Sequence, residues 1–274
     1  MWSDSLTKKE AEFTERAIEA LKDAAWAQPV IERLQQAGGL KSENMSLMFE
    51  VRFAYELHRA GKVAEYEYSA GAGNSTVEFR VPGSVTWLFE LVSIRTSQAA
   101  KKAITQSGLL YGQILSTNAT DMAQSEEAEM ITAEQKIGEK VLKDNAPTKF
   151  PLPIDNVYHV ILADMRGYLD EGGDVFDYRQ IAYGAPGIPF QYLWTIHYWK
   201  TDVEKLEAIK GLFEKSCPLR AARLIQERIH FLGFACEREY QDGEIPSRAY
   251  YLPNPHLLTN EEAQKIYEAF PLKP

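Results

Sequence analysis

The segment at residues 77–95 places an acid on each of two short runs of strand-forming residues. β-Branched and aromatic residues fill both runs, and Pro82-Gly83 between them is a turn signal, so the segment predicts a β-hairpin. Glu78 lies in the first run and Glu90 in the second. The sequence WLFELV around Glu90 is apolar on both faces, which is typical of a strand that is covered on both sides.

An ionised carboxylate on such a strand is costly unless a cation, a metal ion or strong hydrogen-bond donors compensate it. Glu90 therefore requires a partner. In the helix predicted over residues 44–60, Glu50 falls in the middle of the apolar face, whereas Arg52 and Glu56 point the other way. Glu50 then either points inward toward Glu90 or bonds a neighbouring backbone group at the edge of the helix.

The remaining patterns predict alternating helices and strands, and therefore the α/β class. The predicted elements are a helical hairpin over 5–37, a strand over 63–68, helices over 97–120 and 121–145, a buried strand over 158–167, a helix over 218–233, a hairpin from 234–240 and 248–255, and a last helix over 259–270. Three acids that converge on one sheet edge would suit a hard divalent cation, which takes oxygen ligands and can activate water toward a phosphodiester.

The order of these elements and acids resembles the PD-(D/E)XK nuclease superfamily, which has the restriction-endonuclease-like fold. Its αβββαβ core holds a mixed central sheet flanked by helices. A helix Glu, an acid on the second strand and E-x-K on the third bind the metal and drive phosphodiester hydrolysis. The resemblance implies that Glu50, Glu78 and Glu90 are metal ligands and catalytic residues, with Mg²⁺ or Mn²⁺ as cofactor and DNA as substrate.

The chain departs from the superfamily pattern at two points. Glu78 stands where the superfamily usually has Asp, and Val92 stands at the position of the E-x-K lysine. The superfamily sometimes moves that lysine to the following helix, where its members often also carry a glutamine. The candidates here are Gln135, Lys136 and Lys140 in AEQKIGEK, with Lys101 and Lys102 as alternatives. Without such a lysine, the chain would be a catalytically degenerate nuclease-like module that binds protein or nucleic acid.

The resemblance covers residues 43–165 and predicts three parts. They are an N-terminal helical segment over 1–42, a nuclease-like core over 43–167 and a C-terminal α+β extension over 168–274, packed on the same sheet as one globular unit. Five aromatic residues at 190–199 could stack bases, but they are more typical of a core or of an interface in a homo-oligomer. An unrelated α/β enzyme, the third possibility, would use Asp164 at a strand end or the acidic loop at 170–177.

The charge balance limits the partners that the chain can bind. A net charge of -9 argues against broad binding of nucleic acid through bulk charge, but it leaves room for a local basic groove or a metal-bridged phosphate. The sequence has no apolar run long enough to cross a membrane, and its first residues lack the apolar core of a signal peptide. Cys217 and Cys236 have no metal-ligand spacing. We expect a cytoplasmic protein without a membrane partner.

Overall fold

The computed structural model describes residues 5–71, 75–98, 101, 104–106, 113–115, 126–169, 172–184 and 209–272. Its helices are α1 (Lys8–Leu21), α2 (Gln28–Gln36), α3 (Met45–Arg59), α4 (Glu126–Gly138), α5 (Val175–Tyr183), α6 (Arg220–Arg228), α7 (Glu244–Arg248) and α8 (Asn260–Glu268). Its strands are β1 (Glu65–Tyr68), β2 (Val77–Val81), β3 (Thr86–Arg95), β4 (Ile104–Gln106), β5 (Gln113–Leu115), β6 (Leu142–Lys143), β7 (Ala146–Pro147), β8 (Val157–Gly167), β9 (Phe231–Ala235) and β10 (Tyr250–Pro253).

Six of these strands form one mixed sheet in the order β1-β2-β3-β8-β9-β10. The first three are an antiparallel meander, in which Phe79 of β2 pairs with Phe89 of β3. β8 lies parallel to β3, with Glu90 beside Ile161, and β9 lies parallel to β8. A parallel neighbour needs a crossover, and the connection from β3 to β8 includes α4. β10 closes the sheet in antiparallel pairing with β9.

Helices cover both faces of this sheet, because alternate residues of its strands point to opposite sides. On one face, Trp87 and Phe89 of β3 pack with side chains of α1, α2, α3 and α8. On the other face, Leu88 and Val92 pack with side chains of α4, α5 and α6. The prediction of a mixed α/β protein with a central sheet flanked by helices is therefore confirmed.

The predicted N-terminus of the last helix is also confirmed. The Thr259 hydroxyl accepts from the backbone N–H of Glu262, whose carboxylate accepts from the backbone N–H of Thr259. This reciprocal pair is a capping box, which satisfies two donors that the first turn would otherwise leave free.

Three helix predictions differ from the structure. The helix predicted over 218–233 ends at Arg228, and Phe231–Ala235 is a strand. Within residues 97–120 the described part contains the antiparallel pair β4 and β5, so the helix predicted there is wrong over those strands. Gly108 and Gly112 lie in this region, and glycine lowers helix propensity by about 1 kcal/mol relative to alanine. The helix predicted over 121–145 ends at Gly138, and Leu142–Lys143 then forms a short strand. Lys140 consequently lies beyond the helix, on the turn that follows it.

Candidate functional site

Glu90 lies at the centre of β3, fully buried at 0% exposed, and two lysines supply the partner that its position requires. The ammonium of Lys140 donates to Oε1 of Glu90 over 2.7 Å, and that of Lys149 donates to the same oxygen over 2.5 Å. Oε2 of Glu90 is buried without a hydrogen-bond partner. The cost of burying this carboxylate is thus met by two cations at one of its oxygens.

Glu78 lies beside Glu90 on the neighbouring strand and shares both lysines. Oε1 of Glu78 is 3.4 Å from Nζ of Lys140 and 3.9 Å from Nζ of Lys149. Oε2 accepts from the backbone N–H of Leu91, over 2.5 Å, so the carboxylate is held against β3. Two carboxylates and two ammonium groups therefore form one compact charge cluster on the sheet.

Glu50 approaches Glu78 from α3. Its Oε2 accepts from the hydroxyl of Tyr66 on β1, over 2.5 Å, and lies 3.7 Å from Nη1 of Arg33 on α2. The inward position expected for this acid agrees with its burial at 6% exposed, although its direct partner is a tyrosine hydroxyl. The opposite side of α3 is buried too, and this differs from the amphipathic pattern: Arg52 and Glu56 lie within the protein.

The electrostatics of these acids reflect burial and mutual repulsion. Burial, followed by the charge of Glu78, raises the pKa of Glu50 to about 7. Burial, followed by the charge of Glu90, raises the pKa of Glu78 to about 8. Burial alone would lower the pKa of Lys140, but Glu78 and Glu90 outweigh that effect, and the pKa is raised. Lys140 is therefore a cation at neutral pH, and the cluster still favours additional positive charge.

Glu50 and Glu78 open onto a cleft of about 520 Å³. Its lining includes Glu50, Glu78 and Lys140, while Arg33 and Arg95 contribute further positive charge. Glu90 lies deeper than this lining, because the strands on either side enclose it. With Glu43, Glu139 and Lys136 also in the lining, a ligand in the cleft would meet four carboxylates and four cationic groups, an arrangement that suits a phosphate together with a divalent cation.

The residues proposed to replace the E-x-K lysine lie in different environments. Lys140 lies among the acids, whereas Lys136 lines the cleft but pairs with Glu139, 2.9 Å away. Gln135 is exposed on the far side of α4, as its position on the helical wheel requires. The backbone N–H of Lys101 donates to the carbonyl of Ser97, and Lys102 lies outside the described residues.

Lys149 is a cation of this cluster that no sequence pattern indicated. This lysine follows β7 in the connector at 147–153, where no periodicity marks it. Its φ of 64° is in the left-handed region, which non-glycine residues seldom occupy, and its backbone N–H donates to the Ser75 hydroxyl over 3.0 Å. Strained backbone of this kind is often found at functional sites, but a sequence carries no signal for it.

The acids supply the oxygen ligands that Mg²⁺ and Mn²⁺ prefer. Oε2 of Glu90 is buried without a hydrogen-bond partner, so this oxygen is free to bind an ion. Glu50, Glu78 and Glu90 are therefore the residues here that could hold such an ion. In the described part of the chain, however, no three His, Cys, Asp or Glu side chains are arranged as a ready metal site. The two ammonium groups at Oε1 of Glu90 take up part of the space that ligands would share.

The residues named for an unrelated enzyme have other contacts. Asp164 is buried and accepts from the Ser93 hydroxyl and from the backbone N–H of Arg166. Asp174 and Asp177 form a capping box at the start of α5, which explains two acids of the loop by local structure. Asp170, Glu171 and the aromatic run at 190–199 lie outside the described residues.

No helix in the described ranges is long and apolar enough to cross a membrane. Comparison of the chain with protein-family models, with curated proteins and with solved structures finds no match.

Proposed function

We propose that this chain is a divergent member of the PD-(D/E)XK superfamily and a metal-dependent nuclease that hydrolyses phosphodiester bonds in DNA. The observation that carries the proposal is the contact of Lys140 and Lys149 with Glu90, next to Glu78. Of these residues, Lys140 and Glu78 line the cleft. Val92 stands where the superfamily pattern has the E-x-K lysine. In this chain Lys140 and Lys149, from other segments, bring a lysine amine next to the two strand acids.

The order of the elements supports the fold within this proposal. A helix that bears Glu50 precedes an antiparallel meander that bears Glu78 and Glu90. A helix and a strand parallel to β3 follow. Among the six-stranded sheet and the helices that connect its strands, this order is αβββαβ, and it supports assigning the three acids to the positions of the superfamily pattern.

Each group has a distinct task in the proposed reaction. Glu50, Glu78 and Glu90 would hold the ion, which when bound supplies polarisation of the phosphodiester and a more acidic water. Because Lys140 stays protonated, it acts as a cation toward the negative charge that develops on the phosphate, and it cannot serve as a base. Lys149 holds the Glu90 carboxylate in place through its contact with Oε1. Arg33 and Arg95 of the cleft lining would position the phosphates on either side of the scissile bond.

The test is cleavage of supercoiled plasmid and of linear duplex DNA by the native chain, in Mg²⁺, in Mn²⁺ and in EDTA. We expect nicking or cutting that requires the ion and is lost in Glu90→Gln. Glu12→Gln is the matched control, because Glu12 is a solvent-exposed acid on α1. Equal cleavage by the native chain and Glu90→Gln, with both folded, would contradict the proposal.

One observation favours a second candidate function. Two lysines at one oxygen of Glu90 already neutralise part of the acid cluster, and such a cluster could serve in a module that binds nucleic acid without cutting it. That alternative predicts DNA binding at the cleft that is insensitive to EDTA. Binding by the native chain that Arg33→Ala and Arg95→Ala weaken, with no cleavage in either metal, would favour it.

A further inference from the structure

Two hydroxyl groups hold the backbone at Lys149. The backbone N–H of Lys149 donates to the hydroxyl of Ser75 over 3.0 Å, and the hydroxyls of Ser75 and Thr148 share a short hydrogen bond. Thr148 is buried and Ser75 is half-buried. The Ser75 hydroxyl therefore contacts both the main chain of Lys149 and the side chain of the residue before it.

Lys149 needs such a support because of its backbone conformation. It lies between β7 and β8, outside any helix or strand, and its φ is 64°. Residues other than glycine seldom adopt this left-handed conformation unless surrounding contacts hold them in it. The neighbouring backbone is fixed, since the N–H of Thr148 donates to Val141 over 2.9 Å and the N–H of Phe150 donates to Thr148 over 2.7 Å. The bond to Ser75 is the contact that acts on Lys149 itself.

The left-handed conformation determines where the Lys149 ammonium lies, because the direction of a side chain follows from the backbone angles of its own residue. In this conformation Nζ of Lys149 lies 2.5 Å from Oε1 of Glu90 and 3.9 Å from Oε1 of Glu78. A return of φ to the β or helical region would redirect the ammonium away from Glu90. The contact that compensates this buried acid thus depends on a hydrogen bond made by the main chain of the lysine.

The hydroxyl pair of Ser75 and Thr148 also joins the other segments of the site. Ser75 precedes β2 and lies three residues before Glu78. Thr148 is bonded through its N–H to Val141, which directly follows Lys140. The segments that carry the strand acid and both lysines therefore meet at these two hydroxyls.

We propose that Ser75 is a positioning residue, which fixes the ammonium of Lys149 on Glu90 by holding the Lys149 backbone in its left-handed conformation. Without the hydroxyl, the backbone N–H of Lys149 loses its acceptor and the strained conformation loses its support. The consequence for cleavage rests on the proposed function. The position of the Lys149 ammonium does not, and it can be measured in a protein that cuts nothing.

The test is acetylation of the folded full chain with acetic anhydride, followed by peptide mapping that gives a rate for each lysine. An ammonium held on a carboxylate reacts slowly, because the reagent attacks the neutral amine. We expect Ser75→Ala to raise the acetylation rate of Lys149 about fivefold or more, as loss of an ordinary hydrogen bond implies. Ser75→Thr keeps the hydroxyl and should restore the native rate. Lys143, exposed on β6, is the internal reference.

Two comparisons separate this role from a general loss of structure. Ser42→Ala is the matched control and should leave Lys149 at its native rate, since the Ser42 hydroxyl likewise accepts from a backbone N–H, over 3.1 Å, but on the N-terminal segment. Lys140 should keep its native rate in Ser75→Ala, because its own bond to Glu90 remains. A native rate at Lys149 in Ser75→Ala would overturn the inference. So would an equal increase at Lys140 and Lys149, which would mean that Ser75 supports the whole site.

Cleavage provides a second readout. In the Mn²⁺ assay of the proposed function, Ser75→Ala should lower kcat about tenfold with an unchanged KM for DNA, and Ser75→Thr should recover most of the loss. A native chain that cuts no DNA would overturn the proposed function alone, since the acetylation rates would still decide whether Ser75 positions Lys149.

Discussion

Lys140 and Lys149 share one acceptor, since their ammonium nitrogens lie 2.7 and 2.5 Å from Oε1 of Glu90. The two lysines come from a turn after α4 and from the connector before β8, and Glu90 comes from the interior of the sheet. The contact joins three separate segments at one atom. It brings positive charge to a strand acid that the local sequence leaves uncompensated.

The shared contact predicts strong coupling between the lysines. Either Lys140→Met or Lys149→Met leaves Glu90 with one cation, whereas the double variant leaves a buried carboxylate with none. We expect the double variant to lose about 3–5 kcal/mol in the free energy of unfolding, more than the sum of the single losses. Urea unfolding of the four proteins measures this, with Lys62→Met, at an exposed position, as control. A loss in the double variant that equals the sum of the two single losses would disprove the coupling.

The raised pKa of Glu78 predicts a particular dependence of stability on pH. Between its ordinary value of 4.5 and about 8, the folded protein keeps a proton that the unfolded chain has released. The free energy of unfolding should therefore fall as the pH rises through this window, by up to about 1.4 kcal/mol per pH unit. Glu78→Gln should flatten the slope, and Glu65→Gln, at an exposed acid on β1, should not. Identical slopes in the native chain and Glu78→Gln would show that Glu78 ionises normally.

The hydrogen bond from the Tyr66 hydroxyl predicts that the pKa of Glu50 depends on Tyr66. Its hydrogen bond favours the ionised carboxylate and so offsets part of the rise in pKa that burial causes. Tyr66→Phe should raise the pKa of Glu50 above the native value, by about one unit for an ordinary hydrogen bond. Carbon-13 NMR titration of the Glu50 carboxyl measures this, with Tyr68→Phe on the same strand as control. A lowered or unchanged pKa would mean that the hydroxyl does not stabilise the anion.

A separate buried network predicts a large loss of stability at Arg52. Nε of Arg52 donates to Glu237 over 2.8 Å, and Nη1 lies 3.4 Å from Glu10, so one side chain links α3 to α1 and to the segment after β9. Arg52→Met leaves the buried carboxylates of Glu237 and Glu10 without this cation, and it should lower the free energy of unfolding by about 3–5 kcal/mol. Arg223→Met, at an exposed arginine of α6 paired with the exposed Glu227, should cost less than about 1 kcal/mol. Similar losses in both variants would contradict the assigned role of Arg52.

Local pattern was sufficient for the parts of the structure that depend on short-range order. The apolar run around Glu90 predicted a covered strand with an acid that requires a partner. The position of Glu50 left two possibilities, an inward-pointing side chain or a backbone bond at the helix edge, and the side chain is buried. The alternation of helices and strands predicted the α/β class. Periodicity and turn residues encode these features, because each is decided within a few neighbouring positions.

Local sequence patterns did not reveal contacts between residues that are far apart along the chain. Lys149 sits in a connector without periodicity, 59 residues from the acid that it contacts. Arg52 was expected opposite the apolar face, and its burial depends on Glu10 and Glu237, which lie far away in the sequence. The helix predicted at 97–120 failed because composition favoured a helix where a strand pair forms. Tertiary contacts decide all three, and a single sequence does not reveal which distant residues meet.

The most direct test of the central claim is the single-turnover rate of Mn²⁺-dependent cleavage of an end-labelled DNA duplex by the native chain and by Lys140→Met. Lys149 still compensates Glu90 in this variant, so the fold should survive. Our account predicts cleavage by the native chain and a rate at least about 100-fold lower in Lys140→Met, because the cation facing the developing phosphate charge is gone. Lys8→Met, at an exposed residue of α1, should cut at the native rate. An equal rate in Lys140→Met, or no cleavage by the folded native chain, would contradict the account.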